Sequence, residues 1–227
     1  NGMALSGYCR GGMFPHGKPF AREMADDNRR AVDEAKAFDA ACLVLVVGGL
    51  PQYSRLGSAP SKDIAAARSQ VRDGLAELFD YASEVGMKLA IEPLHPMYAA
   101  DRACVNTLRH ALDLCDEIDP AKTGDIGVAV DMYHVWWDPE LMAQIRRAGK
   151  ARLHAFHVCD WLVPTTHLLE DRGMMGDGVI DIRAARAAVE AEGFAGYSEV
   201  EIFSHNWWGK PMDEVLATCI DRHKTVV

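Results

Sequence analysis

Residues 125–134 read Asp-Ile-Gly-Val-Ala-Val-Asp-Met-Tyr-His, and the parity of this stretch decides the fold. In an extended strand, successive side chains point to opposite faces. Ile126, Val128 and Val130 therefore share one face, while Gly127, Ala129 and Asp131 share the other. Three further stretches divide in the same way. Leu89 and Ile91 oppose Ala90 and Glu92, Phe156 and Val158 oppose Ala155 and His157, and Val200 and Ile202 oppose Glu199 and Glu201. One face is bulky and aliphatic, as a sheet needs beneath covering helices. The other carries small residues and then a polar one late in the strand. A doubly wound sheet has helices on both faces and should be apolar on both. A crowded barrel interior with polar groups at its upper rim fits the pattern better.

Outward from that stretch, apolar runs alternate with amphipathic ones along all 227 residues. Strands are predicted at 4–10, 42–47, 88–93, 125–133, 152–159 and 197–203, and helices at 26–38, 64–85, 105–118, 139–148, 182–192 and 211–222. Gly86, Gly149 and Gly193 each follow a helical run, where a left-handed cap is wanted. Alternating strands and helices predict βα units on a parallel sheet, hence an α/β chain of TIM (β/α)8 type. No Pro/Ser linker or shift of composition divides it, so one domain over 1–227 is expected.

The chain holds 24 Lys and Arg against 33 Asp and Glu, a formal charge of −9. That balance argues against a duplex-binding protein, which would show a basic face to phosphates. No run of about eighteen apolar residues offers a membrane span. The cysteines (Cys9, Cys42, Cys104, Cys115, Cys159 and Cys219) are scattered without a C-x-x-C pair, which reads as buried thiols in a reducing, cytoplasmic compartment.

Glu92, Asp131, His157 and Glu201 each occupy the inner parity late in four consecutive strands, about one βα unit apart. In a closed barrel such strand ends converge on the axis, where the loops build the active site. Three carboxylates and one imidazole suit a single divalent ion, Mn²⁺ first, with Zn²⁺ or Mg²⁺ as alternatives. Without a cation, three buried carboxylates would repel one another at high cost.

The segments Ile91-Glu92-Pro93, Val130-Asp131-Met132-Tyr133-His134, Phe156-His157-Val158, Arg172-Gly173-Met174-Met175-Gly176-Asp177-Gly178 and Glu201-Ile202-Phe203 follow one another in order. In this set the chain resembles the xylose-isomerase-like sugar isomerase/epimerase superfamily, which includes ketose 3-epimerases, hydroxypyruvate isomerase-like proteins and inosose dehydratases. The resemblance implies that Glu92, Asp131, His157 and Glu201 ligate a metal. It implies further that Glu92 and Glu201 are the acid/base pair, that His134 contacts substrate or supports the ligands, and that Arg172 binds substrate oxygens. Glu199, of the same parity and one step deeper, is a reserve ligand. The family barrel has eight strands; the six here match the third through eighth, so about two N-terminal βα units are expected to be absent from this chain.

The chemistry implied is proton transfer beside a carbonyl through a metal-stabilised enediolate. Return of the proton to the same carbon gives an epimerase, to the next carbon an isomerase, and loss of hydroxide a dehydratase of inosose or dehydroshikimate type. A three-zinc endonuclease of the same fold would need more His and acidic ligands and a basic surface. A non-catalytic barrel serving as a binding module is the reading of another class. The partner expected is a small sugar or polyol ketone, with neither nucleic acid nor membrane, acting on a homo-oligomer (dimer or tetramer). Trp161 is assigned to the pocket, against plain loop packing, and the Trp136–Trp137 and Trp207–Trp208 pairs to a rim or subunit contact. Residues 161–178 read as a lid carrying Arg172. His95 is a substrate contact, a ligand support or a structural residue. Arg10, with Gly11-Gly12 after it, is either an anion site for phosphate or carboxylate or one side of a salt bridge with a rim carboxylate. His154 lies on the outward parity and reads as a packing residue.

Overall fold

Every predicted strand forms, in the predicted order. The computed structural model describes residues 2–17, 20–51 and 61–227. Its strands are β1 (Tyr8–Gly12), β2 (Leu43–Val46), β3 (Leu89–Ile91), β4 (Ile126–Asp131) and β5 (Leu153–Val158). A two-stranded antiparallel ribbon follows, β6 (Asp160–Trp161) with β7 (Arg172–Gly173), and then β8 (Ser198–Val200). The main sheet is parallel, ordered β1-β2-β3-β4-β5-β8.

The helices are α1 (Ala21–Ala37), α2 (Ile64–Val85), α3 (Leu108–Ile118), α4 (Met132–Val135), α5 (Leu141–Arg152), α6 (Ile182–Ala191), α7 (His205–Trp208) and α8 (Met212–Thr225). Their boundaries follow local chemistry. The Asp63, Thr107 and Asp181 side chains cap α2, α3 and α6 by accepting the amides of Ala66, His110 and Ala184. Gly86 takes the left-handed cap of α2 at φ +71°.

The division by parity holds in β2 through β5 apart from one register slip, whereas in β8 Val200, expected beneath the helices, is 40% exposed and borders the concave cavity beside Glu199 and Glu201. Leu43, Leu45, Leu89, Ile91, Ile126, Val128, Val130, Phe156 and Val158 pack outward against helical stripes such as Val71, Leu75 and Leu78 of α2. A separate small layer of Cys42, Val44, Ala90, Ala129 and Ala155 fills the inner face. The sheet curls as part of a TIM barrel. Gly7, just before β1, lies so near β8 that a Cβ there would stand 3.6 Å from Glu199 Oε1. Gly7, Cys9, Val44, His157, Glu199 and Glu201 line a cavity of about 170 Å³ on the concave side.

Three further expectations need correction. β1 runs later than predicted, through Gly12, and Arg10 turns outward to α1, with its guanidinium 3.0 Å from Asp27 and 3.3 Å from Glu34. Gly11-Gly12 is no anion cradle, because Asn28 of α1 accepts the Gly12 amide and donates to the Gly12 carbonyl. The anion site at Arg10 is therefore already filled by the protein's own groups. His154 does not follow simple parity either. The β4–β5 register slips between Val128 and Ala129, leaving His154 as the extra residue, and its ring fills the space beside Gly127. Finally, not all thiols are buried, since Cys9 is exposed and Cys219 half-buried.

Candidate functional site

Each of the four expected ligands is set by its strand. Glu92 directly follows β3, with its amide held by the Leu45 carbonyl of β2. Asp131 ends β4 and caps α4 by accepting the Tyr133 amide at 2.8 Å. His157 pairs in register with Asp131 on one side and Glu199 on the other. Glu201 follows β8, with its amide bonded to the Val158 carbonyl. One donor atom from each of Glu92, Asp131, His157 and Glu201 lies within 4.8 Å of the others, and such a group could hold a metal ion. Glu92, Asp131 and His157 are buried, and Glu201 is half-buried toward the cavity.

The contacts show how far the protein compensates these charges itself. His157 Nδ1 stands 3.2 Å from Glu92 Oε1 and 3.3 Å from Glu201 Oε2. Arg172 donates to Asp131 Oδ2 at 3.1 Å and to the Glu201 carbonyl at 3.2 Å, with Glu201 Oε2 3.4 Å away. Its guanidinium also lies 4.4 Å over the Tyr133 ring and 5.1 Å over Phe203. With His157 neutral, three carboxylates against one guanidinium leave two negative charges unmatched. Glu201 Oε2 and His157 Nε2 are buried without an aligned hydrogen bond. The donor set, the charge deficit and the orphaned oxygen all fit a divalent cation.

Burial would raise the Asp131 carboxyl, but Arg172, followed by His134 and His157, brings it down to about 2. Burial pushes Glu92 above the ordinary carboxylate range, only partly offset by His157. His134 is driven down to about 3 by burial and stays a neutral imidazole. Burial disfavours a charged His157, yet Glu201 and Glu92 at Nδ1 more than offset this and raise it well above the usual histidine value.

His134 accepts the His95 amide at Nδ1, and its Nε2 lies 3.2 Å from Arg172. The half-buried His95 ring stacks on Trp161 with centroids 4.9 Å apart, and Trp161 also packs against Tyr133 at 4.7 Å. The structure thus gathers Glu92, Asp131, His157, Glu201, His134 and Arg172, with His95 and Trp161 beside them; Arg10 stands apart. Trp136 packs on the core, Trp137 donates to the His134 carbonyl, and Trp208 is exposed.

Sequence reasoning missed three groups that shape the site. Tyr98 and Tyr133 both donate to the Leu168 carbonyl, pinning the segment that delivers Arg172. Buried Asp160 accepts the amides of Trp161, Gly176 and Ile180, so the Gly-Met-Met-Gly-Asp-Gly loop folds around one carboxylate. Cys9, open to solvent at the wall of the concave cavity, faces the carboxylates, and removal of water by the protein around it, with Glu92 and Glu201, pushes its thiol up to about 12. A lone Tyr or Asp carries no periodic signal, so only the length of the loop hinted at such anchors.

A family model described as xylose isomerase-like TIM barrel matches residues 1–222. Among curated proteins, the inosose isomerase of Bacillus subtilis (strain 168) is 27% identical over 149 residues, which is 64% of this chain and 51% of that protein. The chain spans about half the length of the curated relatives it matches. Among solved structures, the protein SMc04130 of Sinorhizobium meliloti 1021 superposes with a TM-score of 0.92 at 56% identity, covering 100% of this chain and 79% of that one. A crystal structure of IolI protein with a bound zinc atom superposes with a TM-score of 0.73 at 20% identity, over 99% and 75%. At that identity the likeness speaks to the fold alone. Among the described residues, no helix is long and apolar enough to cross a membrane.

Proposed function

The chain belongs to the xylose isomerase-like TIM barrel family, and on that footing we propose that it is a divalent-metal-dependent isomerase or epimerase of a small sugar or polyol ketone. The observation that carries this reading is the convergence of Glu92, Asp131, His157 and Glu201 within 4.8 Å. The name of the inosose isomerase relative supports the substrate class. In this reading the 227 residues work as one barrel domain.

Glu92, Asp131, His157 and Glu201 would hold the ion. Bound there, a dication would polarise a substrate carbonyl and its neighbouring hydroxyl, easing loss of the proton between them. The chain's own residues divide the remaining work. Glu92 and Glu201 approach His157 Nδ1 from separate strands, so they can address a substrate carbon from two sides. Glu92 is buried at the floor of the site, while Glu201 borders the cavity, so the two carboxylates are placed to divide proton removal and return between them. Asp131, held low by Arg172, stays an anion throughout and shuttles nothing. Arg172 is the cation that would meet substrate oxygens, neutral His134 packs against it at Nε2 and supports it, and Trp161 with Tyr133 supplies an aromatic wall that limits water.

Metal analysis combined with solvent exchange tests this. Purified protein loaded with Mn²⁺ or Zn²⁺ should hold about one ion per chain and, in D₂O, introduce deuterium beside the carbonyl of inososes or ketoses. Glu201→Gln should weaken metal binding at least about 10-fold and abolish exchange. Equal, negligible metal in both proteins would overturn the reading.

A further inference from the structure

Resting on the metal reading above, we propose that Glu199 is the positioning residue for His157, accepting the Nε2 proton so that Nδ1 presents its lone pair to the ion. The β5–β8 register sets His157 directly beside Glu199 on the concave face. Glu201, two residues further, reaches the other end of the same ring. Nδ1 faces Glu92 Oε1 at 3.2 Å and Glu201 Oε2 at 3.3 Å, whereas Nε2 faces Glu199 Oε1 at 3.8 Å. The two nitrogens of one imidazole thus look toward different groups of carboxylates.

An imidazole that ligates through one nitrogen is neutral and keeps its proton on the other. With Nδ1 in the four-donor group, that proton sits on Nε2. The His157 side chain is 7% exposed, and its Nε2 has no hydrogen-bond partner among the described residues. Glu199 Oε1 is the carboxylate oxygen within ion-pair distance of it, and closing the gap to a hydrogen bond takes a movement of less than about 1 Å. Room for that movement exists, because the Glu199 side chain is 28% exposed and its neighbour on β1's side is Gly7. Glu199 is not one of the four grouped donors, and among the described residues His157 is its recorded ion-pair partner. A carboxylate that holds the far nitrogen of a ligating histidine fixes the tautomer and the ring plane, and raises the basicity of the ligating nitrogen.

The test uses the full chain and Zn²⁺ or Mn²⁺ as the probe. Affinities from chelator competition are compared for wild type, Glu199→Leu and Glu199→Gln, alongside metal-free melting temperatures and ¹⁵N-histidine NMR of the Zn²⁺-loaded protein. Leucine should weaken binding about 10–100-fold. Glutamine, whose amide oxygen still accepts the Nε2 proton, should stay within about 3-fold of wild type. The NMR spectrum should show His157 protonated at Nε2 and ligated through Nδ1. Leucine binding as tightly as wild type would overturn the proposal, as would glutamine losing as much as leucine, which would make Glu199 a ligand. If Glu199→Leu does not fold, the wild-type spectrum decides, and ligation through Nε2 overturns the proposal. A wild type that takes up no ion removes the metal reading itself, an outcome distinct from a wild type that binds while Glu199→Leu binds equally.

Discussion

Arg152 donates to four oxygen atoms at the foot of the sheet, and Asp116 Oδ1 stands a further 3.6 Å from its guanidinium. Arg152 donates to Asp119 Oδ2 at 2.8 Å, to the carbonyls of Ile126 (2.6 Å) and Asp119 (2.8 Å), and to Cys115 O at 3.3 Å. Its side chain is 5% exposed and that of Asp119 is 2% exposed. Burial would raise the Asp119 carboxyl, yet the Thr123 amide and Arg152 hold it below its usual value. Asp119→Ala leaves the buried Arg152 only the partly exposed Asp116 carboxylate at 3.6 Å, so it should cost about 3 kcal/mol in urea unfolding, far from the candidate site and without effect on metal affinity. A change below about 1 kcal/mol would mean that water reaches Arg152. At the same scale the site residues divide by the length of the signal. Glu92, Asp131, His157 and Glu201 were legible because strand parity places them. Asn28 was not, since its role depends on where α1 docks against Gly12.

Among the elements, α2 shows packing overruling propensity. Gly74 sits mid-helix, where alanine would ordinarily stabilise by about 1 kcal/mol. An added Cβ would, however, lie 2.4 Å from Cδ1 of the buried Phe14 ring and 3.2 Å from its Cβ. Gly74→Ala should therefore lower the melting temperature, with an overpacking cost of about 1–3 kcal/mol. In the background of Phe14→Ala the same change should become neutral or stabilising; a rise in the wild-type background would contradict the packing. The segment 162–171 depends on two phenols instead. With Tyr98 and Tyr133 both donating to Leu168 O, each Tyr→Phe change should speed amide exchange there roughly 5-fold, from about 1 kcal/mol per hydrogen bond. Exchange unaltered in the double variant would show that other contacts hold the segment. None of this was visible in the loop's composition, which showed only that 161–178 is long for a βα connection.

For the molecule as a whole, Asp131 links the site to acid stability. Its folded value, about 2, lies below the ordinary 3.8. The stabilisation is therefore present above pH 4 and fades as pH falls toward 2, and the shift corresponds to about 2 kcal/mol. Asp131→Asn should flatten the stability of metal-free protein between pH 4 and 2, read by urea unfolding at each pH; an unchanged slope would assign the acid loss to other carboxylates. The sequence alone determined the order of strands and helices, their parity and the four residues that parity carries to one end. Those follow from a two-residue repeat and a 3.6-residue repeat, which are local properties of the chain. Only the tertiary structure decided that Arg10 and Gly12 are occupied by α1, that His154 turns inward at a bulge, and that Arg172 lies between Asp131 and Glu201. It alone set Glu199 against the far nitrogen of His157. Register and docking bring together groups tens of residues apart, and no periodicity within a segment records which partner it will meet.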